Sequence, residues 1–244
     1  MFKQHPSFHR SVLALSIAGA SLAVAPAAQA VTVAWTDWTA VSLLGGTAAG
    51  FITPTSGPAI NVDLTGPNEG GSISETFGIG PASTYIGGVV DNAPCTGAPC
   101  SGDLINIPGE TPGANTLTFS SAVVNPVFAV WSLGDADNTA TLTFPTGTAP
   151  SIQSTGTNGG LGFVSLTASG NVVSGREGNG TFLLPGTFTS IAFAIASAST
   201  NESAGFTVGQ AGPLAAPVPE PGTYALFAAG LGLLGWMVRR RRQR

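Results

Sequence analysis

The sequence has almost no side chains that exchange protons near neutral pH. Its two histidines, His5 and His9, and its only lysine, Lys3, lie within the first ten residues. Ser-His-Asp and Cys-His mechanisms need an imidazole, and Ser-Lys and Schiff-base mechanisms need an amine. The rest of the chain excludes these mechanisms, so we expect that the protein is not an enzyme. A carboxylate pair of the glycosidase type is the catalytic chemistry that remains open.

Basic residues are equally scarce between Val31 and Val218. That span holds one base, Arg176, against eleven acids, a net charge of minus ten: Asp37, Asp63, Glu69, Glu75, Asp91, Asp103, Glu110, Asp135, Asp137, Glu177 and Glu202. A phosphate backbone would be repelled, and no Lys or Arg cluster exists to release its counterions. Nucleic acid is therefore excluded as a partner.

Cysteine is limited to Cys95 and Cys100, four residues apart in a Pro- and Gly-containing stretch. In an oxidising compartment such a pair predicts a local disulfide. The small ring contributes about 2 kcal/mol at most on the loop-length argument. We expect it to fix a loop, and zinc is disfavoured because no other Cys or His remains in this span.

The N-terminal residues have the three parts of a secretory signal peptide. Lys3 and Arg10 are positive, residues 12–25 are apolar, and Ala28-Gln29-Ala30 is a small-residue cleavage site. Residues 1–30 are therefore predicted to be removed by signal peptidase, which leaves Val31 as the first mature residue.

Residues 31–211 show alternation of apolar and polar side chains without helical periodicity. Leu117 and Phe119 alternate with threonines, and Ile191, Phe193 and Ile195 alternate with small residues. Strands are predicted near residues 31–37, 47–53, 60–65, 72–77, 84–90, 103–107, 115–120, 123–133 with a break at Pro126, 140–144, 163–168, 171–174, 180–184, 190–197 and 204–209. This spacing favours an all-β fold, an antiparallel β-sandwich of jelly-roll type, with a barrel as the alternative.

The C-terminal end changes character. Residues 212–218 form a Pro-rich linker, residues 222–238 are apolar and uncharged, and the chain ends with Arg239, Arg240, Arg241, Arg242 and Arg244. Seventeen residues span roughly 25 Å as a helix, just under the thickness of the hydrocarbon core. We predict one transmembrane helix at 222–238, with the arginines stopping transfer and staying cytoplasmic.

Pro219, Glu220 and Pro221, followed by a Gly-rich apolar stretch and terminal arginines, resemble the PEP-CTERM sorting signal. This tail is also catalogued as an ice-binding protein C-terminal domain, a label that describes the tail and no activity of the body. The resemblance covers residues 218–244. It implies cutting near the tripeptide by a membrane protease, the exosortase, and transfer to the cell surface and exopolysaccharide matrix.

The body of the chain resembles an uncharacterised group of PEP-CTERM proteins. The similar segments lie at residues 31–38, 91–94, 125–127, 132–134, 175–181, 188–191 and 205–209. That group has a Trp-His pair where this chain has Ser203 and Ala204. The resemblance to the group implies no established activity.

Two short segments are candidate sites. Asp135, Asp137 and Asn138 place oxygen ligands at the spacing of a calcium loop, although the Gly and distal Glu of an EF-hand are absent. A polar hairpin turn explains the same residues. Glu177 lies on a Gly-flanked turn beside Arg176, where a site carboxylate or a local ion pair are the alternatives.

Aromatic side chains supply the last candidates. Trp131, with Trp35 and Trp38, offers the platforms of a sugar-binding module, although tryptophans usually pack in the core. The sequons at Asn179 and Asn201 leave glycosylation open. We expect an exported, non-catalytic surface or matrix protein with a structural or adhesive role. The alternative is an exopolysaccharide-binding module, with or without the help of Ca²⁺.

Overall fold

The computed structural model describes residues 30–42, 46–66, 72–74, 82–94, 104–108, 114–157, 164–197 and 203–212, and near the C-terminus residues 230, 231, 233, 234 and 237–242. In the β domain, these residues form fourteen strands and one short 3₁₀ helix, Ala82–Tyr85. The strands are β1 Val33–Ser42, β2 Thr47–Ile52, β3 Ile60–Thr65, β4 Ser72–Ser74, β5 Leu104–Pro108, β6 Ala114–Val124, β7 Pro126–Leu133, β8 Ala140–Thr143, β9 Ser151–Thr157, β10 Val164–Ser169, β11 Val172–Arg176, β12 Gly178–Leu183, β13 Thr187–Ala196 and β14 Ser203–Ala211.

Strand formation follows the side-chain alternation. In β3, Ile60, Val62 and Leu64 are buried, whereas the residues between them are exposed. Since side chains alternate across a pleated sheet, this pattern places one face of the strand on a core and the other in water.

All pairings between the described strands are antiparallel, and they form one continuous path. The order is β10-β11-β8-β13-β6-β3-β2-β1-β14-β7-β12-β9, with β5 beside β14 and β4 beside β5. The antiparallel all-β prediction is confirmed.

Strand β1 joins the two halves of the sheet. Its first residues, Val33 to Trp35, pair with β14, and Thr36 to Ser42 pair with β2. At the two ends of the path, β9 and β10 meet, where the Thr155 hydroxyl donates to the Leu166 carbonyl over 3.5 Å. The sheet therefore nearly closes on itself, which is closer to the barrel alternative than to two separate sheets.

A phenylalanine cluster lies between the two halves. Phe128 stacks on Phe182 with ring centroids 5.1 Å apart, and Phe193 approaches Phe206 edge-on at 5.4 Å. Phe128 also contacts Phe193 at 6.3 Å. Because Phe193 comes from β13 and the others from β7, β12 and β14, these contacts hold the two halves of the sheet together.

Residues 82–94 cover the outer face of the β14-β7-β12-β9 half. Tyr85 is buried there against Ala93 and Ala129. Residues 84–90 were predicted as a strand, and this prediction is wrong: the 3₁₀ helix Ala82–Tyr85 is followed by a turn at Gly88, whose φ is +54°. Two adjacent glycines favour that turn over an extended strand.

Candidate functional site

A polar cluster connects the end of β7 with the junction of β11 and β12. The Ser132 hydroxyl donates a hydrogen bond to the Glu177 carboxylate. The Ser132 backbone N–H donates to Asn179 Oδ1 over 2.7 Å, and Asn179 is completely buried. Glu177 was predicted from the sequence, whereas Ser132 and Asn179 were not, because they lie 45 and 47 residues from their partners. We call these three residues the Ser132 cluster.

The backbone of the cluster is held in an uncommon conformation. Ser132 and Glu177 have φ values of 55° and 52°, in the left-handed region. The Glu177 N–H donates to the Gly134 carbonyl over 3.1 Å. Each left-handed residue other than glycine costs roughly 1–2 kcal/mol, so the side-chain hydrogen bonds must offset that cost.

The predicted calcium residues form a hydrogen-bonded turn. Asp135 Oδ1 accepts from the backbone N–H groups of Asp137 at 2.7 Å and Asn138 at 2.6 Å. The Asn138 amide donates to both carboxylate oxygens of Asp135 at 3.0 Å. Arg176 donates to the Ala136 carbonyl in the same turn. This is the arrangement that the polar-turn alternative requires.

Within the described ranges, no three His, Cys, Asp or Glu side chains come together as a metal-binding group. A calcium ion at Asp135, Asp137 and Asn138 would have to displace hydrogen bonds that already satisfy the Asp135 carboxylate. Calcium binding there stays a prediction.

The three tryptophans of the β domain lie inside it or partly inside it. Trp38 is 2% exposed, and its indole N–H donates to the Thr207 hydroxyl over 3.1 Å. Trp35 and Trp131 are half-buried, and their indole nitrogens are buried. Trp131 packs beside Gly205, where an added Cβ would lie 3.2 Å from the ring. Trp131 directly precedes Ser132 near the end of β7.

The two ends of the β domain lie side by side. The Val31 N–H donates to the Val89 carbonyl over 2.8 Å, and the Gly212 N–H donates to the Thr32 carbonyl over 3.2 Å. Ala30, the last residue of the predicted signal peptide, is exposed. An apolar groove of about 330 Å³ opens between these ends, with Val31, Val89, Leu183 and Gly212 in its lining.

Only part of the C-terminal segment is described. Residues 230, 231, 233, 234 and 237–242 are helical, and Leu231, Leu233, Leu234, Met237 and Val238 are exposed. Arg239 to Arg242 are exposed as well. Within this described portion, and in the rest of the described chain, no helix has both the length and the apolar character needed to cross a membrane.

Several predicted residues lie outside the described part of the chain, and their predicted roles stay predictions. They are the disulfide pair Cys95 and Cys100, the cleavage-site residue Ala28, the tripeptide Pro219, Glu220 and Pro221, and the terminal Arg244.

The last strand of the antiparallel β domain ends at Ala211, and the sequence continues with a Pro-rich stretch, an apolar segment and terminal arginines. Residues 217–242 match the PEP-CTERM protein-sorting motif. The motif implies sorting by exosortase. No curated protein and no solved structure matches the chain.

Proposed function

We propose that this protein is a non-catalytic component of the cell envelope that has a structural or adhesive role at the cell surface or in the extracellular matrix of a biofilm. The observation that supports the proposal best is the position of the sorting motif. The last strand ends at Ala211, and the matched segment begins at residue 217. Cutting near Pro219, Glu220 and Pro221 would release the β domain without dividing it.

The sorting segment is proposed to anchor the protein before processing. Residues 222–238 would cross the membrane, and the arginines from Arg239 onward would remain in the cytoplasm, because Arg and Lys at a helix end resist transfer. The exposed apolar side chains of Leu231, Leu234 and Val238 are compatible with contact to lipid.

The non-catalytic assignment follows from the residue types in the β domain. No His or Lys occurs from Val31 onward, and the hydroxyl of Ser132 donates to a carboxylate and not to an imidazole or an amine. The sandwich description, with jelly-roll connectivity, belongs to the same proposal. It is supported by the two halves of the sheet, which face each other across the phenylalanine cluster.

Cell fractionation with and without the sorting protease tests this proposal. We expect the full-length chain in the membrane fraction of protease-deficient cells, and a shorter β domain at the surface or in the medium of normal cells. Intact mass of the domain would locate both cleavage positions. A chain that keeps residues 1–30, or one whose final arginines lie outside the cytoplasmic membrane, would contradict the proposal.

A second candidate function is binding of the cell's own exopolysaccharide, assisted by Ca²⁺ or not. It is supported by the half-buried ring of Trp131 beside Gly205, since aromatic rings are common in sugar sites. Retention of residues 31–218 on matrix polysaccharide would be lost in Trp131→Ala and weakened in Glu177→Gln. Equal retention of both variants and the native protein would remove this candidate, and a chelator would test the role of calcium.

A further inference from the structure

The β domain has an uncharged end and an acidic end. Strands β7 and β12 run between them: Val127 pairs with Leu183 at one end, and Leu133 pairs with Gly178 at the other. The eight residues of β7 make the two ends about 25 Å apart. The end at Leu183 is also where the chain enters and leaves, because Val31, Gly212 and Leu183 line one groove.

Three loops at the chain-entry end contain no charged residue. They are residues 53–59 between β2 and β3, residues 124–126 between β6 and β7, and residues 184–186 between β12 and β13. Asn125 and Gly186 connect the second and third loops by two hydrogen bonds, of 2.7 and 2.9 Å. A small pocket lined by Pro54, Thr55 and Gly212 connects the first loop to the chain exit.

The side chains of these three loops are apolar or neutral. Val124 is 48% exposed on the rim of the groove. Two acids lie beside this end: Asp91, whose carboxylate accepts from the Thr32 hydroxyl at 3.2 Å, and Asp37, which pairs with Phe51. At the other end, the turn between β7 and β8 has Asp135 and Asp137, and the junction of β11 and β12 has Glu177 together with the base Arg176.

The length of chain after Gly212 limits how far this end lies from the anchor. Nine residues, 213–221, separate Gly212 from the first residue of the proposed membrane-spanning segment. Fully extended, nine residues reach about 30 Å at most. The predicted signal peptide connects to the β domain at the same end, because Ala30 precedes Val31 and the Gly212 N–H donates to the Thr32 carbonyl.

The geometry points to the uncharged end as a surface that rests on the lipid bilayer while the protein is anchored. Many bilayers carry anionic headgroups, which would repel the acidic end and leave the uncharged end free to approach. The exposed Val124 and the groove rim would contact the interfacial region, and Asp135, Asp137 and Glu177 would face the matrix. This inference rests on the anchoring proposed above.

Spin labels at the two ends test the orientation. In a Cys95→Ser, Cys100→Ser background, nitroxides are attached at Val124→Cys or Thr55→Cys in the uncharged end, and at Ala136→Cys in the acidic end as the matched control. All three positions are in loops or at strand ends and are exposed, so each variant should fold. The chain from Val31 to Arg244 is reconstituted in vesicles of phosphatidylethanolamine and phosphatidylglycerol with a nickel-chelating lipid.

We expect the chain to sediment with the vesicles, and the nickel lipid to relax the labels at positions 55 and 124 severalfold more strongly than the label at position 136. Sedimentation with equal relaxation at both ends would overturn the orientation and leave the anchoring intact. Failure to sediment would overturn the anchoring and the orientation with it. Strong relaxation at position 124 only in membranes that contain exosortase would identify the protease, and not lipid, as the partner of this end.

Discussion

The hydroxyl of Ser132 donates to the carboxylate of Glu177, and both residues hold a left-handed backbone, with φ values of 55° and 52°. The hydrogen bond thus connects two strained positions that lie 45 residues apart in the sequence. Together with Asn179, it fixes how the end of β7 meets the start of β12.

Removing the Glu177 carboxylate should destabilise the β domain. We expect Glu177→Ala to lower the free energy of unfolding in urea by about 1.5–3 kcal/mol, the range for a hydrogen bond to a charged group. Glu177→Gln keeps an acceptor and should lower the free energy of unfolding by less. Glu177→Gly removes the hydrogen bond but relieves the left-handed strain, so it should lower the free energy of unfolding by less than Glu177→Ala does. Equal losses for Gln and Ala would show that the hydrogen bond does not stabilise the domain.

The pairing of β1 with β14 depends on the absence of a side chain at Gly209. A Cβ there would lie 2.5 Å from Val33 Cγ1 and 2.7 Å from the Ala34 carbonyl oxygen. We expect Gly209→Ala to cost about 1–3 kcal/mol in urea unfolding, as overpacked sites do. Gly212→Ala is the matched control, because its Cβ would come no closer than 3.4 Å to the Thr32 oxygen. A control as destabilised as Gly209→Ala would mean that loss of glycine, and not crowding, is responsible.

The buried hydrogen bond between Trp38 and Thr207 is suited to a double-mutant cycle. Both residues are buried, at 2% and 0% exposure, and the indole N–H donates to the threonine hydroxyl. Thr207→Val leaves the N–H unsatisfied and should cost about 1–3 kcal/mol. The Trp38→Phe, Thr207→Val double variant should cost about 1 kcal/mol less than the sum of the single losses. Strict additivity in thermal or urea unfolding would mean that the two groups do not interact.

Most strands were predictable because each has its own alternating pattern. Strand β9, Ser151–Thr157, was missed, since Ile152 is its only large apolar residue. Contacts with distant residues hold β9 in the sheet. It pairs with β12 along one edge. Thr84 lies over Gly156, where an added Cβ would be 2.7 Å from the threonine methyl. Burial by a distant segment leaves no local periodic signal.

The candidate site was predictable only in part. Glu177 was recognised by its Gly-flanked turn. Asp135 and Asn138 lie in a polar turn, although it is not the hairpin turn that was the alternative to calcium, because β7 pairs with β12 and β14 and β8 pairs with β11 and β13. Asn179 gave only a glycosylation sequon, and nothing local indicated that its side chain would accept from Ser132. Which residues face each other depends on the register between paired strands. A single sequence does not determine that register when the strands are far apart along the chain.

The structure predicts that Asn179 carries no glycan in the folded protein, although it begins an Asn-Gly-Thr sequon. The residue is completely buried, and its side-chain oxygen accepts from the Ser132 N–H at 2.7 Å. We expect peptide mapping of the exported domain to find Asn179 unmodified. Asn179→Gln should lower the unfolding free energy by about 1–3 kcal/mol, because the longer side chain does not fit the same buried geometry. A glycan on Asn179 would require that this part of the sheet opens before modification.

Tyr85 should make the β domain sensitive to alkaline pH. Burial raises the pKa of its hydroxyl well above the usual value of 10.0. The folded state therefore holds the phenol proton more tightly than the unfolded state, and this contribution to stability is complete below pH 10.0 and is lost as the pH rises above it. The only other tyrosine, Tyr224, lies in the sorting segment, and residues 31–212 contain no lysine, so Tyr85 dominates this range. We expect the unfolding free energy of residues 31–212 to fall above that pH, and Tyr85→Phe to show a flatter profile with no phenolate absorbance on unfolding. Parallel profiles for the native protein and Tyr85→Phe would show that the phenol ionises as readily in the fold as in water.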